Sequence, residues 1–350
     1  MNHSSVFQRT ADFAKDFLNE ASHAKERIWI QVMFFDPGVV TRGFENALLE
    51  GARRGLDVRL HVDWVTNKYF GGDLLLLPPL QKEKRAYYHH VNQERKEMFT
   101  RLTSAGVTIV FTNIPLPYKS RLPMLGRNHT KIFIVDDTAV WIGGVNIAEI
   151  MFTNEDFMVK SYETSLIKAT SEQFLKINDD TPRQDYHVQC DPTHTLIVDA
   201  GLSGKSLILS ETLRGIESAK KEIIFMSQLA PDGNMRSLII KKAKEGVKVT
   251  VITSPKTDTM VAKFPYNITF ILFRLMTVLI PNVTVYHYPV KVHSKLVLID
   301  DEIAFFGSHN FVFTGVLFGT QEICIRTTEK KLIATFSEYT ATSISSSIQA

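Results

Sequence analysis

Six side chains, in two sets of three, have the types and spacing for chemistry: His129, Lys131 and Asn146, then His293, Lys295 and Asn310. On an extended strand, residues two apart project to one side, so each His-x-Lys pair turns an imidazole and an ammonium toward the same space. A neutral imidazole can attack phosphorus while a protonated one gives its proton to the departing oxygen. Lysine ammonium and asparagine amide groups stabilise charge on the nonbridging oxygens. The two sets together suit exchange at a phosphodiester.

The sets are copies of one block. Arg127-Asn128-His129-Thr130-Lys131 runs on to Asp136 and then Gly143-Gly144-Val145-Asn146, and Val292-His293-Ser294-Lys295 runs on to Asp300 and then Gly307-Ser308-His309-Asn310, all at one constant offset. A single His-x-Lys would be surface decoration; two matched blocks are not. The Gly-Gly and Gly-Ser turns let a second strand return close by and set each Asn beside its Lys. Asp136 and Asp300 fall at strand ends, where a carboxylate caps a turn, so they are expected to support the motif without touching phosphorus. His309 is taken as a spacer, because the first copy has Val145 there.

The positioning elements are written twice as well. Apolar Ile28 to Phe35, a helical pattern through Phe44, Ala47 and Leu48, and Gly55 before Val58 to Val62 read as strand, helix and strand. Ile223 to Met226, a helical stretch through Leu238 and Ala243, and Gly246 before Val247 to Ile252 repeat that order. Alternating strands and helices in a duplicated chain predict an α/β protein of two similar lobes, each a sheet flanked by helices, related by a pseudo-twofold axis that brings the histidine blocks face to face. The lobes are expected at residues 1–182 and 183–350, joined within the polar stretch Asn178 to Thr195.

A length of 350 residues accommodates two such lobes. A net charge of +3 fits an anionic substrate but falls short of a dedicated nucleic-acid binder. Two distant cysteines, Cys190 and Cys324, suggest neither a disulfide framework nor a zinc site and fit a reducing compartment. Met1 to Asp16 lacks the apolar run of a signal peptide, so a cytoplasmic location is expected. Gly201 to Ser206 echoes a phosphate-binding loop, but Asp199 stands where its first glycine belongs. The adjacent His89 and His90 are read as loop histidines, not metal ligands.

Two apolar segments, Leu74 to Leu80 and Phe264 to Ile280, fall at corresponding places in the halves. The stretch Ile268 to Ile280 is too short for the roughly 20 residues of a bilayer span, which leaves a buried or membrane-surface helix. Core packing is the plain role for both segments. The sharper one is a hydrophobic rim that admits acyl chains or touches a bilayer.

In its two HxKxxxxD blocks with Gly-Gly or Gly-Ser and Asn, the chain resembles the phospholipase D superfamily and within it the bacterial cardiolipin synthases, from about Ala24 to Ile325 and including Arg54-Gly55 and Asn128. The resemblance implies an acidic partner for each histidine, at Asp156 and Glu322, that fixes the tautomer and stabilises imidazolium. It also implies that His129 is the nucleophile. This chain departs from the family in Asn154-Glu155-Asp156, which lacks a Trp, and at Thr320, where Asn is common.

The resulting expectation is a phosphatidyl transferase working through phosphohistidine on a phospholipid such as phosphatidylglycerol, peripheral to the membrane, with no cofactor, metal or nucleic acid. Hydrolysis of the headgroup, or less favourably a nucleic-acid phosphodiesterase, would use the same groups. Because Lys131, Lys295, Asn146 and Asn310 meet the developing charge, turnover should survive EDTA. Activity lost on chelation and restored by divalent ions would contradict this.

Overall fold

The computed structural model describes residues 5–69, 82–114, 126–177, 184–254 and 260–350. The first sheet holds β1 (Val6–Arg9), β2 (Arg27–Val32), β3 (Asp57–Asp63), β4 (Thr108–Thr112), β5 (Ile132–Val135), β6 (Ala139–Gly143) and β7 (Phe157–Ser161) in the order β1-β7-β6-β5-β2-β3-β4. The second holds β8 (Tyr186–Gln189), β9 (His194–Ala200), β10 (Glu222–Met226), β11 (Lys248–Thr253), β12 (Val283–His287), β13 (Leu296–Ile299), β14 (Ile303–Gly307), β15 (Gln321–Thr327) and β16 (Ile348–Gln349). Its order is β16-β12-β11-β10-β13-β14-β15-β9-β8.

With the edge strands β8 and β16 set aside, the second order reproduces the first strand for strand, so the duplicated sequence folds as duplicated topology. Parallel pairs β2–β3 and β10–β11 are joined through helices Arg42–Arg53 and Gly233–Lys244, as strand-helix-strand units require. The polar stretch expected as a plain connection carries β8 and the start of β9. Short and mostly exposed, β8 needs only β9 as a partner, so its sequence lacks a core signal. The boundary at 182/183 lies outside the described residues.

Among the described residues, the layers are held by three large apolar clusters. One backs the first sheet with Phe13, Phe17, Phe44 and Phe133, and one backs the second with Ile208, Ile239, Phe225 and Phe305. The third lies between the sheets, where Trp29, Ile134, Ile142 and Phe157 meet Leu196, Leu298, Phe306 and Ile323 with Phe174 and Phe336 of the intervening helices. Every residue of β5 and β13 is therefore buried, as expected of strands covered on both faces.

Asp136 and Asp300 close the hairpins β5–β6 and β13–β14 with left-handed φ of 51° and 55°. Asp136 accepts from the backbone N–H groups of Lys25, Glu26 and Arg27, and Asp300 from those of Lys220, Lys221 and Glu222, so each clamps its hairpin to the start of the neighbouring strand. Burial raises the Asp136 pKa, but the amide bonds from Arg27, Lys25 and Glu26 outweigh it and hold it below the usual carboxylate value. Such a carboxylate stabilises the fold above its unfolded pKa, and that contribution is lost as pH falls through the lower folded value. Asp136→Ala should cost roughly 1.5–3 kcal/mol at pH 7, the scale of hydrogen bonds to a charged group. In urea titrations the gap from wild type should shrink below about pH 4; a gap independent of pH would contradict the clamp.

Candidate active site

His129 and Lys131 do not lie within a strand, as their spacing predicts, but in the extended lead-in to β5; His293 and Lys295 likewise precede β13. The reason is that their backbone partners belong to the other lobe. His129 N–H donates to Gln321 C=O while Gln321 N–H donates to Arg127 C=O, and His293 N–H donates to Glu155 C=O while Glu155 N–H donates to Lys291 C=O. These two parallel bridges, Asn128 with Gln321 and Glu155 with Val292, are symmetry mates.

The side chains cross in the same way. His129 Nδ1 lies 2.9 and 3.0 Å from the Glu322 carboxylate oxygens, and His293 Nδ1 lies 2.6 Å from Asp156 Oδ2. Each imidazole is thus oriented by a carboxylate of the opposite lobe through Nδ1, which leaves each Nε2 outside that contact. Lys131 and Lys295 are buried, each donating to the carbonyl of the histidine two residues before it. Asn146 Oδ1 accepts from the N–H groups of Met33 and Phe34, which fixes its amide with Nδ2 buried and unpartnered. Asn310 occupies the matching turn with Oδ1 buried and unpartnered; a half-turn of its carboxamide presents the NH2 instead. The site therefore gathers His129, Lys131, Asn146, His293, Lys295, Asn310, Asp156 and Glu322 from both lobes.

The glycines make the crossing possible. A Cβ on Gly143 or Gly307 would stand 2.4 or 2.3 Å from the carbonyl oxygen of Phe157 or Ile323 in the adjacent strand, and one on Gly144 would stand 2.3 Å from Asp156 Oδ1. The counterpart of Gly144 is Ser308, whose hydroxyl donates to Glu322. The paired carboxylates also differ in acidity. Burial raises the Glu322 carboxyl, but His129 and its neighbours His309 and Lys131 outweigh it and bring it to about 2. For Asp156 burial wins over Lys295 and the Phe157 amide, and the pKa rises to about 6. Burial lowers both histidines, His293 the further, and draws Lys131 to about 7 and Lys295 to about 8. Charge placed among these groups is poorly hydrated, so an anion that enters meets fields weakly screened by water.

His309 is buried, with Nδ1 accepting from Phe311 N–H. His89 and His90 stand exposed on helix Lys82–Ser104, where His90 lies 3.5 Å from Glu94 one turn on, instead of in a loop. Polar residues fill that stretch, which hides its periodicity. Asp199 accepts from the N–H groups of Leu207 and Ile208 and from Ser206 Oγ, so it takes up the helix end that a bound phosphate would use. Among the described residues, no three His, Cys, Asp or Glu side chains cluster to hold a metal ion.

Two supports escaped the sequence analysis. Asp63 receives Arg127 Nη1 and Asn128 N–H at 2.9 Å each, a buried pair that fixes the approach to His129. Lys291 stands two residues before His293, and its i, i+2, i+4 spacing with His293 and Lys295 was the available signal. Of the apolar segments, Leu74 to Leu80 lies outside the described residues. The other forms helix Met260–Thr277, which buries Phe273 and exposes Ile268, Ile271, Leu272, Leu275 and Met276, with Leu279 just beyond it 90% exposed. Among the described residues no helix is long and apolar enough to cross a bilayer.

Comparison with known proteins agrees with this architecture. The fold resembles the crystal structure of a phosphatidylserine synthase from Haemophilus influenzae, with a TM-score of 0.76 at 13% identity over 99% of this chain and 87% of that one. It also resembles a polyphosphate kinase from Porphyromonas gingivalis, with a TM-score of 0.61 at 12% identity over 96% and 49%. In sequence the chain is 24% identical to the probable cardiolipin synthase YwiE of Bacillus subtilis over 84% of its own length, and 23% identical to the major cardiolipin synthase ClsA of that organism over 97%. It spans 57% of the length of the first and 70% of the second. The profile of the family described as cardiolipin synthase, PLD-like domain matches residues 17–178 and 212–343. That match takes in both lobes and both histidine blocks, and the chain belongs to this family.

Proposed function

We propose that the protein is a phosphatidyl transferase of the cardiolipin synthase type, with phosphatidylglycerol as donor and the terminal hydroxyl of a second phosphatidylglycerol as acceptor. The observation that carries this is the convergence of two histidines, each with its Nδ1 on a carboxylate of the other lobe, between two buried lysines. His129 Nε2 attacks phosphorus and the P–O bond to glycerol breaks, with His293 Nε2–H supplying the proton that glycerol takes away. His293 then removes the proton of the acceptor hydroxyl, whose oxygen displaces His129 and restores both imidazoles. Lys131, Lys295, Asn146 and Asn310 stabilise the charge on the nonbridging oxygens. Water in place of the second lipid gives hydrolysis by the same steps.

The assignment of the nucleophile to His129 fits the difference between the dyads. An ionised Glu322 favours positive charge on the imidazole that becomes phosphorylated, and Asp156, with its higher pKa, gives weaker support to charge on His293. His129→Ala should abolish both covalent label and turnover. His293→Ala should still take label from an activated phosphodiester with a good leaving group and stall at its release, with turnover down at least the roughly 10²-fold of general acid–base loss. Acid quench and peptide mapping decide this, and label on His293 would reverse the roles.

The exposed apolar face of helix Met260–Thr277 supports a protein that lies on a lipid surface, and it would serve a nuclease poorly. Flotation with phosphatidylglycerol vesicles should persist in high salt, which screens charge but not apolar burial. Ile271→Glu combined with Leu275→Glu should lower vesicle binding about 10-fold or more, given roughly 1.5–3 kcal/mol for each buried aliphatic side chain. Binding unchanged by the pair would move the contact elsewhere.

A further inference from the structure

The two halves of the site are not equally supplied with cations. In the first, Arg127 is spent on Asp63, with Nη1 to Oδ1 at 2.9 Å. In the second, the position of Asp63 is taken by Ser254, which accepts from Val292 N–H at 2.9 Å and carries no charge. Lys291 takes the place of Arg127. It forms no ion pair among the described residues, and its side chain is exposed. Enough protein surrounds its ammonium for desolvation to lower its pKa, with no carboxylate among the described residues to oppose it. The nearest backbone neighbour, Glu155, turns its side chain toward Arg9, 3.5 Å away.

Lys291 also lies beside the site along the chain. The segment is extended there, with the N–H of Glu155 on Lys291 C=O and the N–H of His293 on Glu155 C=O, so Lys291 and His293 share a face. Its charge reaches both His293 and Lys295. Two residues of extended chain separate it from His293 by roughly 6.5 Å along the backbone. A cation with no ion pair among the described residues, two residues before the histidine proposed as acid and base, calls for a second anion.

We propose that Lys291 binds the phosphate of the acceptor and so selects a phosphate-bearing alcohol over a neutral one or water. This rests on the transferase reading above. A three-carbon bridge then links the acceptor phosphate at Lys291 to the hydroxyl that His293 deprotonates. A hydrolase would have no use for such a contact.

The test supplies phosphatidylglycerol as donor with either glycerol 3-phosphate or 1,3-propanediol as acceptor to wild type, Lys291→Gln and Lys291→Arg. Lys291→Gln should lower kcat/KM for glycerol 3-phosphate relative to propanediol about 10-fold or more, the scale of one charge-assisted hydrogen bond, and Lys291→Arg should recover most of it. An unchanged ratio, or an equal fall for both acceptors, overturns the assignment and leaves the transferase standing. Hydrolysis by wild type without transfer to either alcohol overturns the transferase reading instead. A calorimetric titration then decides Lys291 without turnover, using glycerol 1,3-bisphosphate against glycerol 3-phosphate. Wild type should prefer the bisphosphate about 10-fold or more and Lys291→Gln should lose that preference; a preference kept by the variant, or absent from wild type, overturns the assignment.

Discussion

The hydrogen bonds from each histidine to a carboxylate of the other lobe are the constraint on which the rest of the structure depends. Neither lobe contains a complete dyad: Glu322 serves His129 and Asp156 serves His293. Buried ionisable groups are costly unless paired and hydrogen-bonded, so the lobes must meet with little freedom. The two cross-lobe bridges and the apolar cluster shared by the sheets supply that fit. The glycines at the ends of β6 and β14 follow from the same demand, since a side chain there would displace the strand that delivers each acid.

Duplication gives the site its shape and divergence gives it direction. In the proposed two-step exchange one histidine bonds phosphorus and the other moves a proton, and a perfectly symmetric site would offer no preference. Here Ser308 donates to Glu322 where Gly144 offers no hydroxyl to Asp156, and the two carboxyl groups end at about 2 and about 6. The approaches differ in the same sense, with a neutralised Arg127 on one side and an open Lys291 on the other. Both differences lie next to the motif, not within it.

Among the described residues it is the second lobe that presents a long apolar helix to solvent. Its outer face carries Ile271 and Leu275, the latter 68% exposed, while Phe273 anchors it to the core. A face of that kind, on the same lobe as Lys291, fits the proposed substrate, which is both lipid and anion.

How much of this was legible in the sequence follows from which interactions are local. The duplicated order of strands and helices, the two histidine blocks and the α/β class are written in short-range periodicity and spacing, and the sheets repeat them strand for strand. The exposed edge strand Tyr186–Gln189 left no such mark, because a strand paired on one side needs no apolar alternation. The histidine segments looked like strand interiors from their spacing. Only the assembled lobes show that they are lead-ins whose backbone bonds are made across the interface. The partnership of Asp63 with Arg127, the hydroxyl of Ser308 on Glu322 and the isolation of Lys291 were decided by tertiary structure alone. Each depends on which side chains far apart in sequence come within about 3 Å, and spacing along one chain carries no information about that distance.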